Sequence, residues 1–479
     1  MAGIRGYWTL AAAAIAFRIL LLFCLPKDFH LGSHPEITTP LTSLRRRTSP
    51  VACSWRKVTG SSRRPCRPTQ VSPFPRVPTG ERAELVRCIM APLCYCQFSG
   101  PLVLKDLKGD LLISTADFIT ATLIRATGKK LMLSRYKHLQ ILNLSKLVET
   151  SGFVDSGDFA ALMYLWNPMT IVICIGSSTS PIDNLMVVMA IYGACSRIPP
   201  LAAFGWVFAV HLSLYPVILI VPIILLLGYG LDAPPSKSFL LKNSYARKNS
   251  TLAKIQVNSG TSSQTDKAIN HFSWIPVLHF ALWVSVWLGY VLFLSSISLK
   301  GIGSITEMFR KTYGFILTVE DLSPNIGLLW YFFAEVFDFF RNFFLIVFHV
   351  NILFVILPLA IRLKHRPCFL AFVYIAISSM LKSYPSLADS TLYLSLVTLF
   401  SNELADMQFS FFLFCGYIAV SLFSPVMHNL WIWRGTGNAN FYYATGLAYA
   451  CLQTILVVES VGSMLKHDRL LRKTVEAEH

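Results

Sequence analysis

Charge is scarce in this 479-residue chain. Only 14% of residues are Asp, Glu, Lys or Arg, against roughly 25% in an ordinary soluble domain. With 54% of residues hydrophobic, that shortage excludes a water-soluble globular class. Also missing are the paired Cys-x-x-Cys and His ligands of a closed zinc site; Cys94-Tyr-Cys96 has the wrong spacing, so no metal is assigned. Gly-x-Ser-x-Gly, His-Glu-x-x-His and Cys-Gly-Ser-Cys patterns are absent, and a nucleophile needs a positioned base. No catalytic residue is therefore assigned. Gly301-Ile-Gly303 lacks a dinucleotide-binding setting and reads as a turn, so no cofactor is expected. The loop after the first apolar run holds Asp28 and Glu36 but no Asp-x-Asp or Asp-Asp pair.

What the chain has instead is a series of apolar runs near the roughly 20 residues needed to cross a bilayer. They predict an all-α, polytopic transmembrane helical bundle of about eleven spans. The net charge of +17 does not point to nucleic acid. Residues 41–110 carry thirteen Lys/Arg against four acids, a net +9, which leaves +8 for everything else. No folded basic module accompanies that charge, so no nucleic-acid partner is expected.

The chain divides by composition. Residues 1–30 hold the first span and the start of a loop, with Arg18 either snorkelling to a helix end or facing an interior. Residues 31–110 are irregular and basic, and from 45 to 100 they are rich in Arg, Pro, Ser and Cys without helical periodicity. That stretch reads as translation in a shifted frame or across a mis-spliced exon, with a disordered loop as the alternative. Residues 111–230 are transmembrane helices containing Asp117 and Arg125, broken at Asn167-Pro168, Pro199-Pro200 and Tyr215-Pro216. A polar loop covers 231–273, further helices cover 274–465 with segments that include 326–340 and 343–361, and a polar tail covers 466–479.

Three polar clusters lie beside aromatic spans. The first runs from Glu320 and Asp321 through Pro324-Asn325 to Trp330, Tyr331 and Glu335. The second is Leu381-Lys382-Ser383-Tyr384-Pro385, closed by Asp389; the third is Gly435-Thr436-Gly437-Asn438-Ala439-Asn440-Phe441-Tyr442-Tyr443. Glu335 and Asp338 stand in a dense aromatic segment. An acid costs roughly 2.5–3.5 kcal/mol at a bilayer centre on insertion scales, so both are expected in a protein-lined or water-lined interior. Asparagine amides can meet sugar hydroxyls and phosphate oxygens, and flanking aromatics suit an amphiphilic ligand.

At these clusters the sequence resembles the PIG-U family, the U subunits of the glycosylphosphatidylinositol (GPI) transamidase. The likeness rests on LTVEDLSPNIGLLWYFFAEVFDFF at 317–340, NILFVILPLAIRLKHRP at 351–367, LKSYPSLAD at 381–389 and GNANFYYA at 437–444. Weaker matches are LWNPMTI at 165–171, SSTSPIDN at 177–184 and LSLYPVILIVP at 212–222. The resemblance implies a GT-C-like architecture in the endoplasmic reticulum membrane. It implies a non-catalytic subunit that binds or presents the GPI glycolipid for attachment to proprotein C-termini. Membrane lipids and other transamidase subunits, among them a cysteine-protease-like catalytic one, are the implied partners. Asn438 and Asn440 are the implied head-group contacts, with Phe441, Asn325, Trp330, Glu335, Lys382 and Asp389 as further GPI-binding candidates. The alternatives are a GT-C glycosyltransferase of GPI biosynthesis using a dolichol-phosphate sugar, and a transporter or flippase.

Overall fold

A computed structural model describes residues 2–24, 102–142, 144, 155–176, 178–235, 239, 272–299 and 304–477, and among these there is no strand. Asp28, Glu36, nearly all of the 31–110 stretch and most of the 231–273 loop lie outside the described residues. The helices are α1 (Ala2–Cys24), α2 (Leu102–Ile141), α3 (Ser156–Trp166), α4 (Pro168–Ile175), α5 (Ser180–Cys195), α6 (Pro199–Ser213) and α7 (Ile220–Tyr229). The C-terminal half supplies α8 (Trp274–Ser298), α9 (Leu329–Glu335), α10 (Asp338–Arg362), α11 (Pro367–Leu381), α12 (Leu387–Val397), α13 (Ser410–His428) and α14 (Ala439–Ala477).

The predicted proline breaks are real. Pro168 opens α4 while the Asn167 side chain accepts the Met169 N–H, and the chain bends by 46° there. Pro199 opens α6, and Tyr215–Leu219 tightens into a 3-10 turn before α7. Each proline lacks the N–H that a continuing helix would require. Among the described residues four helices are long and apolar enough to cross a membrane, α8, α10, α13 with its following turn, and α14; counting the bent pair α3–α4 as one span gives a fifth. The other apolar helices are 10–17 residues long. The expected span at 326–340 is not one helix. It divides into the seven-residue α9 and the start of α10, because Val336 and Phe337 are extended, with ψ of 140° and 138°. The polar tail is helical as far as Ala477.

Two devices knit the N-terminal helices. Gly128 of α2 lies so close to α3 that a Cβ there would stand 2.4 Å from Gly157 Cα, so these helices cross with backbones touching. Between α1, α2 and α3 lies a fully buried ion pair. Arg18 Nη1 donates to Asp117 Oδ2 at 2.7 Å, Arg18 Nη2 to Leu165 O at 2.7 Å, and Tyr164 to Asp117 Oδ1 at 2.9 Å. Arg18 therefore faces the interior. Its charge is matched and hydrogen-bonded, which a buried ion needs.

The bundle has two polar ends. At one, Arg366 Nη2 donates to Asp468 Oδ1 at 2.5 Å, His365 Nε2 lies 2.8 Å from Asp468 Oδ2, and Arg135 Nε stands 2.5 Å from Glu403 Oε1. Asp232 caps α11 there by accepting the N–H of Cys368 at 2.6 Å and of Phe369 at 3.1 Å. Burial pushes the Asp232 carboxyl up to about 6, against the pull of Arg366 and those two N–H groups. Burial also opposes ionisation of Asp468, but Arg366 and His365 outweigh it and hold that carboxyl below the ordinary range. The other end carries the three clusters singled out above.

α10 packs little against the rest of the chain. Phe339 is 87% exposed and Phe354 73%, a face left to lipid or to a neighbouring protein.

Candidate functional site

The three clusters come together at one end of the bundle. The Asp321 N–H donates to Tyr384 Oη at 2.9 Å, and Phe315 stacks on the Tyr384 ring at 5.4 Å. Gly327 sits against Pro385, where a Cβ would be 2.7 Å from Cδ. A Cβ at Gly446 of α14 would lie 2.9 Å from Ile326 O. Tyr331 donates directly to Asn440 Oδ1, tying α9 to the start of α14.

Sequence dictates this locally. Thr436 and Gly437 both donate their N–H to Leu430 O at 3.0 Å, folding the loop back on the preceding turn. Gly437 is required for that approach, since a Cβ would stand 2.9 Å from Trp431 N. Gly435 turns the chain at φ +64°, a conformation that favours glycine. Asn438 then caps α14, its Oδ1 accepting the Asn440 N–H at 3.1 Å.

The result is a small ledge with a defined polarity. Asn438 and Asn440 are both exposed, and both have their side-chain oxygen occupied, by the helix cap and by Tyr331. Each amide NH2 has no partner among the described residues. The ledge therefore offers donors, and an acceptor-rich ligand such as a phosphate or a hydroxylated sugar complements it. Beneath it, Trp330 is buried and stacks on Trp431 at 6.1 Å, while Tyr331 packs on Tyr443 at 4.6 Å. The Trp330 indole N–H is buried without an acceptor. Phe441, 61% exposed, extends the aromatic surface outward.

The remaining candidates stand at the same end but outside the ledge itself. Asn325 is buried and holds its own turn, accepting the Gly327 N–H at 2.8 Å and donating to Ser323 O at 3.3 Å. Lys382 and Asp389 face each other at 2.6 Å, mostly buried, and Asp389 Oδ2 also accepts the Ser386 N–H at 3.0 Å in a capping box. With Asp183 they line an interior cavity of about 30 Å³, room for one water, rather than the ledge. Glu335 and Asp338 are exposed, which corrects the expectation of an interior position. The helix break between them turns both outward, and Asp338 in the first turn of α10 suits the positive end of the helix dipole.

Sequence reading placed Tyr443 in the third cluster but did not single out Trp431. It named Arg18 and Asp117 without pairing them, although opposite charges in two apolar spans are a usable signal. It treated 362–366 only as a basic turn and missed Asp468 on the tail. Among the described residues no group of three His, Cys, Asp or Glu side chains could hold a metal.

The chain matches the family described as GPI transamidase subunit PIG-U over residues 86–449, starting within the basic stretch. It is 34% identical over 313 residues to the GPI-anchor transamidase component PIGU of Cricetulus griseus, covering 65% of this chain and 63% of that protein. It is 35% identical over 331 residues to the Mus musculus component of the same name, covering 69% of this chain and 68% of that protein. Identity to the GPI transamidase component GAB1 of Saccharomyces cerevisiae is 28% over 306 residues, covering 64% and 66%. The chain thus spans a little under two thirds of the length of the hamster relative.

Proposed function

Since the chain belongs to the PIG-U family of GPI transamidase subunits, we propose that it is a non-catalytic, multi-pass subunit of that complex in the endoplasmic reticulum membrane. Its task is to hold the GPI head group at the ledge formed by Asn438 and Asn440, with Phe441, Trp330 and Trp431 receiving the less polar part of the lipid. Bond cleavage and transfer belong to another subunit, of the cysteine-protease-like kind. One observation carries the reading. Two exposed asparagines whose oxygens are already engaged present only N–H donors, beside stacked aromatics. The ligand that matches is an amphiphile whose head consists of phosphates and hydroxyls.

The orientation follows from charge. Lys129, Lys130, Lys137, Arg197, Arg362, Lys364, Lys466, Arg469, Arg472 and Lys473 gather at the Arg366 end, and fewer basic residues stand at the ledge end. By the positive-inside rule the Arg366 end is cytoplasmic and the ledge lumenal. The spans beyond the long helices are completed by the shorter apolar ones, which brings the count towards eleven. Lys382 and Asp389 support the ledge from below by fixing the 382–386 turn against Tyr215 and Gly327.

The test is a double substitution, Asn438→Ala with Asn440→Ala, in cells that depend on this chain. Surface display of a GPI-anchored reporter is expected to fall while the other subunits still co-purify. Undiminished display would remove the ledge from the reading.

A further inference from the structure

A second cavity, of about 330 Å³, opens at the opposite end of the bundle, where α2, α5 and α7 meet. Its lining includes Ser134, His138, Ser196, Arg197 and Tyr229, and no Asp or Glu. The adjacent charges are engaged elsewhere. Asp232 turns onto the α11 N-terminus and Arg135 onto Glu403. What remains facing the cavity is donor chemistry. Arg197 is exposed and has no ion-pair partner among the described residues. Lys130 Nζ donates to Ser196 Oγ at 2.7 Å, leaving the Ser196 hydroxyl hydrogen free to donate onward. His138 Nδ1 is buried with no hydrogen-bond partner.

The backbone points the same way. Arg197 has φ +53°, a left-handed conformation that a glycine would adopt without strain. Pro199 follows directly and keeps Ile198 out of the helical region, at φ −109° and ψ 86°, so the helix starts only after the turn. A side chain is thus carried at a position where the turn alone would favour none. Strained positions of this kind gather at binding sites. The depth of the cavity is also marked. Tyr229 on its wall packs on Phe272 at 5.0 Å, which packs on Trp274 at 4.7 Å, a cluster of the kind that settles at the membrane–water boundary.

We propose that this cavity is a binding site for the phosphate of an anionic phospholipid, held by Arg197, the Lys130–Ser196 pair, Ser134 and His138, on the face opposite the asparagine ledge. Lipid is favoured over a soluble phosphate because the mouth opens at the interface, where acyl chains can lie along the exposed helices while the head group enters. Basic pockets between membrane helices take anionic head groups in this manner.

The experiment uses the full chain purified within its complex, in nanodiscs of equimolar phosphatidylcholine and phosphatidylinositol, with retained lipid read by native mass spectrometry. Phosphatidylinositol is expected to be retained over phosphatidylcholine, and free glycerophosphoinositol at the same concentration should not displace it. Arg197→Gly should lower retention about fivefold, the effect of one basic group at an anionic surface. The same variant should leave the thermal midpoint without added anionic lipid unchanged or higher, since glycine relieves the turn. Lys130→Gln should weaken retention in the same direction. Equal retention of the two lipids, or unaltered retention by Arg197→Gly, would overturn the proposal. Full displacement by glycerophosphoinositol would transfer the site to a soluble phosphate and overturn the lipid assignment.

Discussion

Replacing Asn438 by Asp separates its helix-capping role from the head-group contact proposed for it, two roles that replacement by Ala confounds. As a helix N-cap, Asp serves about as well as Asn, and its charge gains roughly 0.3–1 kcal/mol from the α14 dipole. Stability should therefore hold or rise. The ligand contact responds in the opposite sense. The substitution removes both N–H donors, and a hydrogen bond to a charged acceptor is worth about 1.5–3 kcal/mol. It also places a carboxylate near the phosphate, where like charges about 4 Å apart repel by roughly 1 kcal/mol in water and more where water is excluded. Together these come to at least about 2.5 kcal/mol, beyond fiftyfold in affinity. Asn438→Ala loses the cap, about 1 kcal/mol, and the donors, but adds no repulsion. The expected order of GPI-anchoring activity is wild type, then Ala, then Asp, and the order of stability is Asp at or above wild type, then Ala. Anchoring can be measured as reporter attachment in permeabilised cells with limiting GPI, and stability by thermal aggregation of the solubilised complex. An Asp variant that anchors like wild type while the Ala variant fails would show that Asn438 only caps a helix, and the donor ledge would be refuted.

Two further outcomes are expected. Asp117→Ala leaves Arg18 unpaired at zero exposure, which should lower stability by about 3–5 kcal/mol, and a second change, Arg18→Met, should recover most of it; a loss below about 1 kcal/mol in detergent unfolding would contradict the pairing. Asp468, held below the ordinary carboxylate range in the fold, contributes stability that is present above its unfolded pKa near 4 and is lost as pH falls through the lower folded value. The stability gap between wild type and Asp468→Asn should thus narrow below about pH 4 in thermal scans, and a gap that widens there would reverse the sign.

Much of the architecture was legible because its physics is local. Proline removes a helix hydrogen bond and kinks or ends the helix, so the breaks at Pro168, Pro199 and Pro216 could be read from composition, although Pro358 and Pro425 are carried inside α10 and α13. The clustered amides and aromatics marked three segments, and these do meet, through Tyr384 with Asp321 and Tyr331 with Asn440. What escaped was the direction in which side chains point. Lys382 and Asp389 answer each other and Asn325 answers its own backbone, contacts set by tertiary packing rather than by neighbouring letters. The outward turn of Glu335 depended on an extended pair, Val336-Phe337, that hydropathy reads as helix. The Arg366–Asp468 contact joins residues 102 positions apart, which no periodicity reveals.

The unbroken course of α14 sets a length scale for the whole molecule. Asn440 and Asp468 are fixed to one rigid rod, and the twenty-eight-residue step from one to the other measures roughly 42 Å, against about 27 Å of hydrocarbon in the bilayer proposed for it, that of the endoplasmic reticulum. The rod overshoots the oil by some 15 Å, so it can lean by well over the usual 20° before either polar terminus is dragged into it. It has no such latitude in register. Adding one residue to its middle would swing everything beyond by 100° and uncouple the ledge from the ionic clasp beneath it.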